Sequence, residues 1–137
     1  MAGAENDILV YLGTYTDGDS EGIYLTRLDA SSGEMGPVTL AAEVDSPNFL
    51  AVHPTNQYLY AVSGIGADPP PIGSVHSYAI DRSTGALEQL NHQPSGDEGP
   101  CHIDVDSSGR NLLVANYLGG SVAALPINPD GTLGELA

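Results

Sequence analysis

The chain has 137 residues, 41% of them hydrophobic, with 17 Gly and 10 Pro. That composition fits a globular domain of short strands and many turns rather than one of long helices. Eighteen Asp and Glu stand against three basic residues, all of them arginine (Arg27, Arg82, Arg110), for a formal charge of −15. An excess this large excludes nucleic acid as a partner, because phosphate binding needs basic patches, and it excludes docking on an anionic membrane.

No apolar run approaches the roughly 20 residues of a membrane-spanning helix. The missing lysine allows two readings. One is a plain soluble acidic surface. The other is adaptation to a salt-rich interior, where screening over about 3 Å at 1 M salt relieves self-repulsion. The lone Cys101 excludes an intrachain disulfide. Residues 1–7 are acidic and lack the apolar stretch of a leader, so the expected compartment is the cytoplasm.

In chain order, the first predicted strand is Ile8 to Gly13. Asp17-Gly18-Asp19-Ser20-Glu21-Gly22 has the spacing of the first half of a calcium loop, but the last ligand position falls on Leu28, so it reads as a solvated hairpin loop. A strand follows from Gly22-Ile23-Tyr24 and closes in a turn at Ser32-Gly33. Pro47 to Val52 and Leu59 to Ser63 are the next two strands. Asp68-Pro69-Pro70-Pro71 reads as a stiff extended loop. A strand from Gly73 closes at Thr84-Gly85, and a fourth covers Leu87 to Asn91. Pro100 to Val105 and Leu112 to Asn116 form a hairpin around Asp106-Ser107-Ser108-Gly109-Arg110. A last strand runs from Gly120 toward the turn at Asp130-Gly131.

These segments repeat. Pro47-Asn48-Phe49-Leu50-Ala51-Val52 aligns without a gap on Pro100-Cys101-His102-Ile103-Asp104-Val105, and the register holds into the following strand. A period of about 50 residues with several short strands per unit is the pattern of β-propeller blades, each an antiparallel four-stranded sheet. The expected architecture is all-β, with about two and a half blades. Residues 8–46 form a partial first blade, 47–99 a complete blade with its linker, and 100–137 a partial next blade, all in one partial propeller domain. Propellers have about 4–8 blades, so the remaining blades, or other copies of the chain, are needed to close the ring.

Several motifs are similar to those of the lactonase family of seven-bladed β-propellers, the 6-phosphogluconolactonase type. They are Tyr11-Leu12-Gly13-Thr14-Tyr15-Thr16, Phe49-Leu50-Ala51-Val52-His53-Pro54, Tyr78-Ala79-Ile80-Asp81 with Thr84-Gly85-Ala86-Leu87, and Gly99-Pro100-Cys101-His102 followed by Val114-Ala115-Asn116-Tyr117. The resemblance spans essentially the whole chain, in the family's order. It implies seven blades and hydrolysis of a sugar lactone, with 6-phosphogluconolactone first in view. It also leaves open a muconate-lactonizing relative or a non-catalytic binding propeller.

His102 is the candidate catalytic base, because lactone hydrolysis needs a group that activates water and imidazole titrates near neutrality. The alternative is a histidine that binds the backbone of the next blade. Asp104 shares strand parity with His102 and is a candidate to orient the imidazole or bind a sugar hydroxyl, against a bond to the backbone of a neighbouring blade. Asn116, Tyr117 and Tyr15 are candidate substrate-binding residues at strand ends, against a packing role. Asp106 is a turn cap by default, and Cys101 on the other face reads as a small buried residue. His53, His76 and His92 share no short ligand spacing, so neither a metal site nor a cofactor is indicated. A phosphorylated substrate would draw its cationic partners from other blades.

Overall fold

The computed structural model describes residues 6–66 and 70–137. Of the stiff loop, Asp68 and Pro69 lie outside the described residues. Ten strands form three antiparallel sheets. The first holds β1 (Asp7–Leu12), β2 (Gly22–Asp29) and β3 (Thr39–Glu43), in that order. The second holds β4 (Leu50–Val52), β5 (Tyr58–Ser63), β6 (Ile72–Ile80) and β7 (Leu87–Glu98). The third holds β8 (Pro100–Val105), β9 (Asn111–Asn116) and β10 (Ser121–Pro126).

The middle sheet is covered on both faces, and its sequence shows why. In β5, Tyr58-Leu59-Tyr60-Ala61-Val62-Ser63, nearly every residue is buried. Leu59 and Ala61 pack with Ile23 and Tyr78 against the first sheet. Tyr60 and Val62 join Val75, Ile103, Leu112, Val114 and Leu125 against the third. A strand buried on both sides carries apolar residues at successive positions, where a one-sided strand alternates. A fully buried Leu59 or Val62 side chain contributes about 1.5–3 kcal/mol by leaving water. One strand of the third sheet does alternate. In β9, Leu112 and Val114 are buried while Leu113 is half exposed.

The turns are fixed by short polar side chains. The Asp29 carboxylate accepts the N–H groups of Ser31 and Ser32 and the Ser31 hydroxyl. Asp81 repeats the arrangement with Ser83 and Thr84. Asp106 accepts the N–H groups of Arg110 and Asn111 and the Ser108 hydroxyl, so its capping role is as expected. The hydroxyl of Ser31, followed by the N–H groups of Ser31 and Ser32, holds the Asp29 carboxyl down to about 2.

Two strand ends and the burial of one residue differ from the sequence reading. The strand expected from Pro47 pairs only from Leu50, because Pro47 offers no N–H and Ser46 sits at positive φ. The fourth strand, expected to end at Asn91, runs to Glu98. It is the edge of its sheet, where Pro94 is tolerated. Cys101 is half-buried rather than buried, because the register shifts between Pro100 and His102.

Candidate active site

Polar side chains tie neighbouring sheets together at both rims. At one rim, Ser63 Oγ donates to the Asp45 carbonyl and Asn48 Nδ2 donates to the Pro100 carbonyl. At the other rim, Arg27 donates to the Ser83 carbonyl at 2.8 Å, and His53 Nε2 lies 2.9 Å from the Gly109 carbonyl oxygen. The first rim carries the loops β1–β2, β5–β6 and β9–β10, together with the start of β8. Tyr15, His102 and Tyr117 therefore share it.

His102 and Asp104 lie one on either side of the buried Ile103, so both point out of the same face of β8. They line a hollow of about 650 Å³ with Leu113, Val122 and Ala124. The expected pairing by parity holds. His102 also differs chemically from two of the other three histidines. His53 has its Nδ1 beside the Thr55 N–H and hydroxyl and its Nε2 on Gly109. His76 has one nitrogen on Ser74 and the other on Gln89. The imidazole of His102 makes no hydrogen bond among the described residues, and the Phe49 ring lies against it, 4.4 Å between centroids. An exposed imidazole with both nitrogens uncommitted can take a proton from water.

The other candidates divide. Tyr15, 55% exposed, lines a separate hollow of about 170 Å³ with Thr16, Asp17, Asp45 and Ser46. Tyr117 stands 75% exposed in the β9–β10 turn. For both, the exposure leaves the phenol free to donate at the rim. Asn116 requires a correction. It is 2% exposed, and its Nδ2 donates to the Ser95 carbonyl at 2.9 Å, so its amide ties β9 to β7 instead of facing the rim. Beside it, Ser121 donates to Asp97, and that bond, followed by the Glu98 N–H, holds the Asp97 carboxyl below the usual carboxylate range.

Acidic side chains occur at both rims, but the arginines are confined to one. Arg27 lies toward the far end of β2, Arg82 in the β6–β7 turn and Arg110 in the β8–β9 turn. All three are at the rim opposite Tyr15 and Tyr117, about 20 Å away for a six-residue strand. The His102 rim instead bears Asp17, Asp19, Glu21, Asp45, Asp97 and Glu98, with no arginine. His76 and His92, unconnected by sequence spacing, are cross-strand partners with rings stacked 5.2 Å apart. Their meeting depends on a register shift at Ser77–Tyr78 that no spacing rule anticipates. Among the described residues, no three His, Cys, Asp or Glu side chains are grouped as metal ligands would be.

The family profile described as lactonase, 7-bladed beta-propeller, matches residues 9–137. A 6-phosphogluconolactonase of Bacillus subtilis is 38% identical over 123 residues, 90% of this chain and 34% of the relative. A 6-phosphogluconolactonase of Formosa agariphila is 31% identical over 93% of this chain and 36% of its own. The solved structure of the periplasmic gluconolactonase PpgL of Pseudomonas aeruginosa superposes with a TM-score of 0.83 at 32% identity, covering 93% of this chain and 36% of that one. The chain thus spans about a third of the length of the relatives it matches. The cytoplasmic expectation drawn from residues 1–7 does not stand, because a relative this similar in fold and sequence is a periplasmic protein. With a profile match over nearly every residue and an all-β framework of successive antiparallel sheets, the chain belongs to the lactonase family of β-propellers related to 6-phosphogluconolactonase.

Proposed function

We propose that this chain supplies part of the active site of a lactonase that hydrolyses a sugar lactone, with His102 as the base. In this reading the three sheets are successive blades of one partial propeller domain (8–46, 47–99 and 100–137), and further blades close the ring to seven. The observation that carries it is the His102 imidazole, its nitrogens without a hydrogen bond among the described residues, lining a hollow together with Asp104. His102 takes a proton from water, and the hydroxide adds to the lactone carbonyl. The tetrahedral oxyanion collapses, the ring C–O bond breaks, and the proton returns to the leaving alkoxide, so lactone plus water becomes the hydroxy acid. Asp104 orients the imidazole or holds a sugar hydroxyl, and the Tyr15 and Tyr117 phenols donate to substrate oxygens from the rim.

The substrate favoured by the named relatives is 6-phosphogluconolactone. Its phosphate would draw cations from blades outside this segment, because Arg27, Arg82 and Arg110 sit at the opposite rim. The test is steady-state hydrolysis of 6-phosphogluconolactone and of unphosphorylated gluconolactone by the closed-ring protein and its His102→Ala variant. Loss of base catalysis lowers kcat about 10²–10⁴-fold. Unchanged turnover removes His102 from the mechanism. A second reading, a propeller that binds without catalysis, is favoured by Leu113. It occupies in β9 the register that Tyr60 occupies in β5, facing the next sheet, so the His102 face is partly a packing face. That reading predicts saturable lactone binding with no hydrolysis by the wild type.

A further inference from the structure

We propose that Phe49 is the positioning residue of this site: its ring, offered by the neighbouring sheet, holds the His102 imidazole in its working orientation. The inference rests on His102 being the base. Phe49 and His102 occupy the same register in successive sheets, opposite Val62 and Ala115 respectively. Phe49 immediately precedes β4 and His102 lies in the first half of β8, both toward the same rim. Their rings meet at 4.4 Å between centroids with planes tilted by 53°.

Three observations separate this contact from ordinary packing. Phe49 is 37% exposed and belongs to neither buried cluster, so its aromatic surface is held at the rim and not in the core. The backbone beneath it is fixed on two sides. Its carbonyl accepts the Val62 N–H, and the adjacent Asn48 donates to the carbonyl of Pro100, two residues before His102. The contact also leaves chemistry free. A polar neighbour would occupy a ring nitrogen, as Thr55 and Gly109 do for His53, whereas a phenyl face restricts the imidazole and leaves both nitrogens to water and substrate.

An imidazole on an exposed strand end otherwise samples several χ1 wells and a broad χ2 range. General-base catalysis counts only the fraction aligned with the attacking water. A neighbour that narrows this distribution raises kcat and leaves substrate binding nearly untouched.

The experiment uses the closed-ring protein with gluconolactone as the substrate, and compares wild type with F49L, F49Y and H102A. F49L keeps apolar bulk but loses the ring, so a matched thermal midpoint separates folding from function. The expected result is a fall in kcat of about tenfold for F49L with KM within about twofold, and F49Y restoring most of the loss. In parallel, the His102 ring-proton resonances, assigned by their loss in H102A, move in F49L as the phenyl ring current is removed and stay close to wild type in F49Y. F49L with wild-type kcat, in a protein that H102A inactivates, overturns the positioning role and leaves His102 as the base. H102A with wild-type turnover overturns the base assignment and the positioning role together. His102 resonances unmoved by F49L also overturn the inference, whatever the kinetics.

Discussion

The hydroxyl of Tyr60 in the second sheet donates to the Gly131 carbonyl in the turn that follows the third sheet, 71 residues away, at 3.0 Å. Ser77, directly opposite Tyr60 on β6, donates to the same oxygen at 2.9 Å. Tyr11, in the matching position of β1, donates to the Gly85 carbonyl at 2.6 Å. Successive sheets are thus joined by one repeated tie, tyrosine hydroxyl to turn carbonyl. Because Gly131 has two donors, Tyr60→Phe leaves its carbonyl satisfied and is expected to cost about 1 kcal/mol. Ser77→Ala is expected to cost a similar amount. The double variant orphans a buried acceptor, so urea melts are expected to show a loss exceeding the sum of the singles by about 1 kcal/mol. Strict additivity would mean that the two hydroxyls do not share this oxygen in solution.

The same turn tests how closely the sheets approach. Gly33 and Gly131 both have positive φ, 77° and 86°. Around Gly33 a Cβ would meet nothing within 4 Å, whereas at Gly131 it would fall 2.3 Å from the Tyr58 ring. Gly33→Ala is expected to cost only the left-handed backbone term, about 1 kcal/mol. Gly131→Ala adds displacement of Tyr58 and is expected to cost at least about 1–3 kcal/mol more. Equal losses in chemical denaturation would show that the turn swings away without disturbing the sheet contact.

These two residues also mark where sequence reasoning succeeds and stops. The strand-and-turn repeat was legible, because Asp29-Ala30-Ser31-Ser32-Gly33 and Asp81-Arg82-Ser83-Thr84-Gly85 have the same cap chemistry at the same place in each unit. The doubly buried β5 was legible in its unbroken apolar run. Partners across sheets were not, since Tyr60–Gly131 and His53–Gly109 join residues that no local pattern relates. The length of β7 was hidden by Asn91-His92-Gln93-Pro94, a polar edge-strand sequence that reads as loop. Of the site, the shared face of His102 and Asp104 followed from strand parity. The burial of Asn116 did not, because an asparagine at a strand end gives no sign of a carbonyl waiting on the neighbouring sheet.

His76 gives a pH signature with a defined sign. Burial, and then the neighbouring His92, push its pKa from 6.5 down to about 4. Ser74, Gln89, His92 and Tyr78 surround it. Between these two values the unfolded chain binds a proton that the folded chain refuses, so stability is full above about 6.5 and falls as pH drops toward 4. The carboxylates of Asp29 and Asp106, held at about 2, stabilise the fold fully above 3.8 and lose that contribution only as the pH falls below it, a separate window. Urea midpoints measured from pH 7.5 to 4.5 are expected to decline in the wild type and to decline less in His76→Leu. In His92→Gln, the NMR titration of His76 is expected to move upward but stay below 6.5, because burial is the larger cause. Parallel midpoint curves for wild type and His76→Leu would remove His76 as the source.

Asn116 separates a structural from a binding role most directly. Its Nδ2 serves the Ser95 carbonyl, its Oδ1 is buried without a partner among the described residues, and Asp97 lies close by, joined through Ser121. Asn116→Ala removes the donor to a buried carbonyl and is expected to cost about 1–3 kcal/mol in equilibrium unfolding. Asn116→Asp is close to isosteric, yet it places a carboxylate against the Ser95 carbonyl and near Asp97. It is expected to destabilise by more than the alanine variant at pH 7, with the excess shrinking as the pH is lowered and the new carboxyl protonates. A substrate-binding asparagine would behave in the opposite way. Both variants would fold with near wild-type stability, and the loss would appear in KM for the lactone.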